Sequence, residues 1–470
     1  MDKLSRLREQ GVLPYAYRFE RTHLAVELQK KFDELQHNKV RVAGRLVSRR
    51  RHGKTQFAHL QDLTGKTQIY FRQDTLGQEI YELLELLDIG DILGVRGEVF
   101  KTKTGEVTVH VREWQLLAKS LYPLPEKFHG LRDVEIRYRQ RYLDLLVNSD
   151  SRRVFEIRTQ IVRFIRQFLD ERGFFEVETP VLQPIYGGAA AMPFQTYYHV
   201  LEQEMFLRIS DELYLKRLIV GGLERVYEIG KDFRNEGLDR FHNPEFTQLE
   251  LYQAYADYYD MMVLVEELFK FLAQKLFGKT EVEYAGYRID FGKPWRRLRF
   301  VEALREKIDV DPLELSDSML VKVAARFGIE IKPGTSRAKL LDKLFSELIQ
   351  DKLIEPTFVI DYPKETTTLA RAHREDNRLV ERFEPIAGGM ELGNAFSELN
   401  DPLEQRTRFE DAVKQNEEFA TLDDDYCRAL GYGMPPTGGL GIGIDRLVML
   451  FTNQDSIRDV ILFPQLKKVK

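Results

Sequence analysis

An α+β fold in two parts is predicted, a small β-barrel followed by a larger domain whose antiparallel sheet is flanked by helices. Three observations predict it. Between Val40 and Lys119 short strands alternate with turn signals at His52-Gly53-Lys54, Thr64-Gly65-Lys66 and Lys103-Thr104-Gly105, the spacing of hairpins. From Arg225 to Gln253 the chain reads as a strand, a polar turn and a returning strand. Between these stretches Val154, Ile157, Ile161, Phe164, Ile165 and Phe168 recur at helical spacing, with Gly173 placed to stop the helix. The 470 residues exceed a single core, because domains usually run to about 100 to 200 residues.

Hydrophobic content of 43% and charged content of 31% describe a globular chain with a well-solvated surface and exclude a disordered one. The single cysteine, Cys427, excludes an internal disulfide and a Cys-based zinc cage, which suits the cytosol. The first residues carry charges throughout without an apolar h-region, and no apolar run is long enough for a bilayer, so neither export nor a membrane partner is expected. The net charge of -5 averages unlike parts. Residues 1–120 hold 21 Lys+Arg against 16 Asp+Glu, a balance of +5, and the remainder carries -10.

Residues 1–120 form the first predicted domain. Its basic charge concentrates in Arg41, Arg45, Arg49, Arg50, Arg51 and Lys54, and Phe57, Tyr70 and Phe71 lie close by. The strand run, interrupted by a helical stretch near Leu76 to Leu87, outlines an OB-type barrel, a fold that holds single-stranded nucleic acid against its sheet. Unstacked bases need rings and phosphates need cations, so aromatics interleaved with arginine meet the physical requirement. From the residues alone, a solvated basic face and a core position for Phe57 explain the same pattern.

Residues 121–150 read as a linker running into a helix, and residues 151–470 as the second domain. After the helix from Ser151 to Arg172, FFEVETPVLQ reads as a strand that Pro180 breaks. Tyr186 to Ala191 is small enough for backbone to lie against a ligand. Glu212 opens an apolar-striped helix through Leu215, Leu218 and Ile219; in a first turn, a Glu by itself answers the helix dipole. In the returning strand of the hairpin, Phe246, Gln248, Glu250 and Tyr252 share one face, which an apolar core would not choose. Arg234 and Glu236 stand at the end of the outgoing strand, and the loop returns through His242, Asn243 and Pro244. Such a hairpin can clamp an anion or present a solvated face.

Residues 300–353 read as inserted helices with caps at Ser316 and Ser336, without chemistry of their own, and FVIDYP resumes the sheet at Phe358. Asn394, Phe396 and Glu398 share another strand face, with Glu384 and Glu391 nearby in sequence. In GGLGIGIDR the glycines at 438, 439, 441 and 443 admit close approach of a ligand, and Asp445-Arg446 open a helix from Leu447 to Phe451. Together these segments point to phosphate and metal chemistry at a nucleotide site.

FRNEG with the downstream HNPEFT resembles motif 2 of the class II aminoacyl-tRNA synthetases, GGLGIGIDR resembles motif 3, and FFEVETP resembles motif 1. With the barrel, the likeness extends from about Gly11 to Pro464 and is to the bacterial lysyl enzymes of subclass IIb. The resemblance implies a class II catalytic domain, a motif 1 homodimer in the cytoplasm, and ligation of L-lysine to its tRNA with ATP and Mg2+. It implies Arg234 and Arg446 as catalytic residues at the α- and γ-phosphates. Glu236, His242, Asn243, Phe246, Glu384 and Glu391 join them at ATP, with the Phe246 ring on adenine and Glu384 and Glu391 on magnesium. Gly188, Glu212, Glu250, Tyr252, Asn394, Phe396 and Glu398 would hold lysine, and Arg49, Phe57, Gln68 and Glu106 the anticodon. The chain departs from the pattern at Met192, at Phe241 and at Thr367-Thr368. Glu212 and Glu250 oppose an aspartate or asparagine enzyme of the same subclass. The retained arginines and carboxylates oppose a non-catalytic RNA-binding relative.

Overall fold

The computed structural model describes residues 2–125, 131–415 and 419–468. The chain divides into two units, Met1–Arg132 and Asp133–Lys470. In the first, strands Lys39–His52, Thr55–Gln61, Lys66–Arg72, Val107–Ala118 and Ile92–Lys101 close in that order into a barrel. Its pairings are antiparallel except between Lys66–Arg72 and Val107–Ala118. Short helices Gln73–Leu76 and Gln78–Glu82 fill the interval where the strand pattern lapses. Thr55–Gln61 alternates strictly, with Gln56, Ala58 and Leu60 inward and Phe57 and His59 outward. Ala58, Leu60, Ile69 and Phe71 fill the barrel with Val95 and Val109. Phe71 is thus a core residue, whereas Phe57 and Tyr70 stack outside it with centroids 4.5 Å apart.

The stretch expected as a linker running into a helix holds two helices from residue 134 onward. Helices Val134–Arg139 and Arg141–Val147 belong to the second unit. Arg141 is buried there, paired to Asp144 at 2.6 Å and donating to the carbonyls of Arg458 and Leu462. Helix Ser149–Asp170 follows, and Gly173 with φ +75° lies just beyond its end.

The second unit is built on a nine-stranded sheet. Its order is Arg296–Arg299, Thr357–Pro363, Leu379–Ala387, Gly393–Ser397, Thr437–Gly443, Glu245–Ala254, Arg225–Phe233 and Phe175–Glu176, with Met390–Glu391 paired to Leu379–Ala387 off this path. The middle is antiparallel as expected; the pairs at its two ends, Arg296–Arg299 with Thr357–Pro363 and Phe175–Glu176 with Arg225–Phe233, are parallel. Leu249 and Leu251 turn to a core shared with helices Ser149–Asp170, Tyr258–Phe277 and Ile444–Thr452. That leaves the alternate residues of the same strands to the opposite face. The inserted segment forms helices Phe300–Ile308, Asp317–Arg326 and Arg337–Leu348, the last two capped by Ser316 and Ser336. They pack on Val359, Tyr362, Val380 and Ile386.

Candidate active site

Register carries one continuous polar face across five strands. Glu228 lies opposite Glu250, and Asp232 opposite Phe246. Glu250 and Tyr252 lie opposite Gly441 and Gly439, which face Asn394 and Phe396; Phe396 in turn faces Arg382. The glycines form the floor of this face because side chains from its neighbours converge over them. A Cβ at Gly441 would come within 2.8 Å of both Gln248 Nε2 and Glu250 Oε1, and one at Gly439 would collide with Glu398 and the Tyr252 ring.

One end of the face is acidic and dry. Glu212, Glu250 and Glu398 are 5%, 6% and 2% exposed. Glu250 accepts from Gln248 Nε2 at 2.5 Å and from the Tyr252 hydroxyl at 2.9 Å, both neutral donors. Burial, reinforced by the charges of Glu212 and Asp232, pushes its carboxyl up to about 8. The Lys216 ammonium bridges Glu212 and Glu398. Burial works against that ammonium, but the two carboxylates outweigh it and raise Lys216 well above its ordinary range. Gly188, with φ +86°, lies against Ser210 and Glu212, and a Cβ there would meet Ser210 Oγ at 2.9 Å. Beside this end and on the same face, Arg208 is buried between Glu228 at 2.5 Å and Asp232 at 3.1 Å. Phe396 lies on the site face and also in the core of the inserted helices, so it forms the wall between them.

The other end is cationic and more open. Arg446 donates to His242 Nε2 at 3.0 Å and to Glu391 at its carbonyl, 2.9 Å, and its Oε2, 3.1 Å. His242 Nδ1 faces Asp239 Oδ2 at 2.7 Å, so the ring donates there and accepts from Arg446. Asp445 anchors the start of that helix, accepting from the Thr247 N–H at 2.8 Å and from Arg158 at 2.5 Å. The Arg234 guanidinium lies 5.0 Å from the Phe246 ring centroid. Glu236 is exposed at the strand end. Asn243 is buried with its amide donating to the Glu245 carbonyl at 2.6 Å and accepting from Gln465 N–H at 3.3 Å, so it shapes the loop. Phe241, the departure beside His242, packs against the main core under the Arg240 guanidinium.

Arg382 joins the two ends. It donates to Asn394 Oδ1 at 3.0 Å and to Glu384 Oε1 at 2.5 Å, while Tyr362 donates to Glu384 Oε2 at 2.7 Å. Burial pushes Glu384 up to about 7, opposed by Arg382 and reinforced by Glu391 and Asp342. Asp342 belongs to the inserted helix Arg337–Leu348, so a segment expected to lack chemistry reaches this cluster electrostatically. Lys216, Arg382, Arg208 and Asp342 were not singled out from the sequence. For Lys216 a signal existed, since it stands four residues after Glu212 on one helix.

On the barrel, Gln68 donates to Glu106 Oε2 at 2.6 Å and accepts from Thr108, and His59, missed from the sequence although two residues from Phe57, contacts Glu106 Oε1 at 2.8 Å. Arg49 is not with them. It pairs across the ladder with Ala58, whose side chain points inward, and it donates to the carbonyls of Leu84 and Leu87, both at 2.8 Å. Arg50 is the cation opposite Phe57. One step along a strand changes the face, so the ladder sets Arg49 on the face opposite to the Phe57 ring.

Residues 133–467 match the family described as tRNA synthetases class II (D, K and N), and residues 40–117 match the OB-fold nucleic acid binding domain. The chain belongs to the class II tRNA synthetases. Among its relatives, the lysine-tRNA ligase of Carboxydothermus hydrogenoformans is 53% identical over 99% of this chain and 97% of its own length. That of Syntrophomonas wolfei is 52% identical over 99% and 96%, and that of Pelotomaculum thermopropionicum 53% over 99% and 94%.

Proposed function

We infer that the chain is an ATP-dependent lysine-tRNA ligase, which activates L-lysine to lysyl-adenylate and transfers the lysyl group to the 3' end of its tRNA. The observation that carries this reading is Glu250, a buried carboxylate whose donors among the described residues, Gln248 and Tyr252, are neutral, on the sheet face that also carries the cationic end. A lysine side chain is a cation on an apolar stem, and each charged hydrogen bond to it contributes roughly 1.5 to 3 kcal/mol. Glu250 and Tyr252 take the side-chain ammonium, with Glu212 and Glu398 beside it. Asn394, held by Arg382, faces the lysine carboxylate, and Gly188 and Phe396 bound the pocket.

In activation the lysine carboxylate attacks the ATP α-phosphorus and pyrophosphate leaves. Such displacement depends on alignment and charge neutralisation more than on an acid or base. Arg234 acts at the α-phosphate and Arg446, steadied by Asp445, at the γ-phosphate. His242 and Glu236 border the nucleotide, Asn243 shapes the loop around it, and Phe246 offers a ring for adenine. Among the described residues no group of three or more His, Cys, Asp or Glu surrounds a metal position. The carboxylates of Glu384 and Glu391, near enough that the charge of Glu391 raises Glu384, would hold Mg2+, an ion commonly held by one or two carboxylates together with substrate phosphates. Bound there, the ion would neutralise phosphate charge. The barrel residues Phe57, Gln68 and Glu106 would read unstacked anticodon bases. We further propose a cytoplasmic homodimer through the motif 1 segment, which exposes Phe175, Val181 and Leu182; among the described residues no helix is long and apolar enough to cross a membrane.

ATP-pyrophosphate exchange with each of the twenty amino acids tests this reading. Lysine alone is expected to support rapid exchange. Efficient exchange with aspartate or asparagine overturns it.

A further inference from the structure

Lys216 has no part in the reaction described above, yet its side chain is fully enclosed. It stands one turn after Glu212 on helix Glu212–Val220, between the apolar Leu215 and Ile219. Its ammonium touches Glu212 Oε1 and Glu398 Oε2 and lies 5.8 Å from the centroid of the Tyr252 ring. Removing an ammonium from water costs several kcal/mol, and packing alone would be met by a methionine at this position. The charge must therefore answer something. Four buried carboxylates act on Tyr252, those of Glu212, Glu250, Glu398 and Asp211, and Lys216 bridges the first and third. Glu250 has Gln248 and Tyr252 as donors, while Glu398 Oε1 and Asp211 Oδ1 have no hydrogen-bond partner among the described residues.

We propose that Lys216 is a positioning residue for substrate selection, a built-in countercharge that ties Glu212 to Glu398 and leaves Glu250 to take the incoming side-chain ammonium. The inference rests on the reading that this pocket takes the lysine side chain. Without Lys216, Glu212 and Glu398 would repel each other and compete with Glu250 for the incoming ammonium, so lysine would bind in the wrong register.

The test is ATP-pyrophosphate exchange by the full chain carrying Lys216→Met, which keeps the volume and removes the charge, alongside Lys216→Ala. With Lys216→Met the KM for lysine is expected to rise about tenfold or more, with the KM for ATP within about twofold of wild type and a thermal melt that remains cooperative. Lys216→Ala opens an anionic cavity, and ethylammonium in the assay is expected to bring the lysine KM back toward wild type, which tetramethylammonium, lacking N–H donors, does not. A purely structural role would move the melt but give no ammonium-dependent recovery of lysine KM. A folded Lys216→Met with wild-type lysine KM overturns the proposal. So does loss of folding in both variants that ethylammonium fails to reverse. If the wild-type chain does not exchange with lysine, the functional reading itself has failed; normal wild-type exchange with unaffected variants removes this inference alone.

Discussion

The two ends of the site handle charge in opposite ways. At the dry end the cations Lys216 and Arg208 are locked in ion pairs within the protein, and Glu250 is left with neutral donors in a place water barely reaches. At the open end the arginine remains reachable: the Arg446 side chain is 20% exposed and its partner Glu391 35%. A pocket that must recognise a single cation has to keep one carboxylate uncompensated and dry, because a partner or a water shell would weaken its preference. A site for a polyphosphate can leave its cations hydrated, because several of them act together on a much larger charge.

The largest effect should come from the open end. Arg234→Lys or Arg446→Lys keeps a charge but loses the planar fork, and exchange is expected to fall by about a hundredfold or more with the melt unchanged. Near-normal exchange by Arg234→Lys would remove it from the α-phosphate. At the dry end, Glu250→Gln is expected to raise the lysine KM about ten- to a hundredfold, the worth of one charged hydrogen bond or two, while sparing the KM for ATP. Equal losses for both substrates would erase the contrast between the ends.

A smaller effect is expected on the barrel. Phe57→Ala removes an outward ring that is stacked on Tyr70, and base stacking is worth about 1 to 3 kcal/mol. Lysine activation should be unchanged while kcat/KM for tRNA charging falls by roughly tenfold. Undiminished charging by a folded variant would take Phe57 out of RNA recognition.

The smallest is a slope. Between its ordinary range near 4.5 and about 8, Glu250 holds a proton in the folded chain that the unfolded chain has released. This contribution to stability is complete at low pH and is lost as pH rises through about 8. The Tm of wild type should therefore fall more steeply over that window than that of Glu250→Gln. Asp211 and Asp232 are also raised by burial and slope the same way, so the difference between the two proteins is the quantity to measure. Identical slopes would show Glu250 ionised throughout.

The periodicities and turn residues determined a good deal. Alternation in Phe246 to Tyr252 identified the polar face, the glycines of GGLGIGIDR marked where side chains close over backbone, and the barrel turns fell where Gly53, Gly65 and Gly105 predicted them, because these are local consequences of strand pleat and backbone freedom. What lay beyond a single element did not show. Strand pleat separates Arg49 from Arg50, but only the pairing of that strand and the helical turn packed on it bring Arg49 to the carbonyls of Leu84 and Leu87 and set Arg50 across from Phe57. Lys216 could be seen four residues after Glu212, but its burial and its second partner, Glu398, depend on a strand almost two hundred residues away. Arg382 and Asp342 became part of the site only when the sheet register and the inserted helices brought them to Glu384. Pattern along a chain sets which face a residue takes; the cost of enclosing charge, which decides what each residue can do there, is set by everything folded around it.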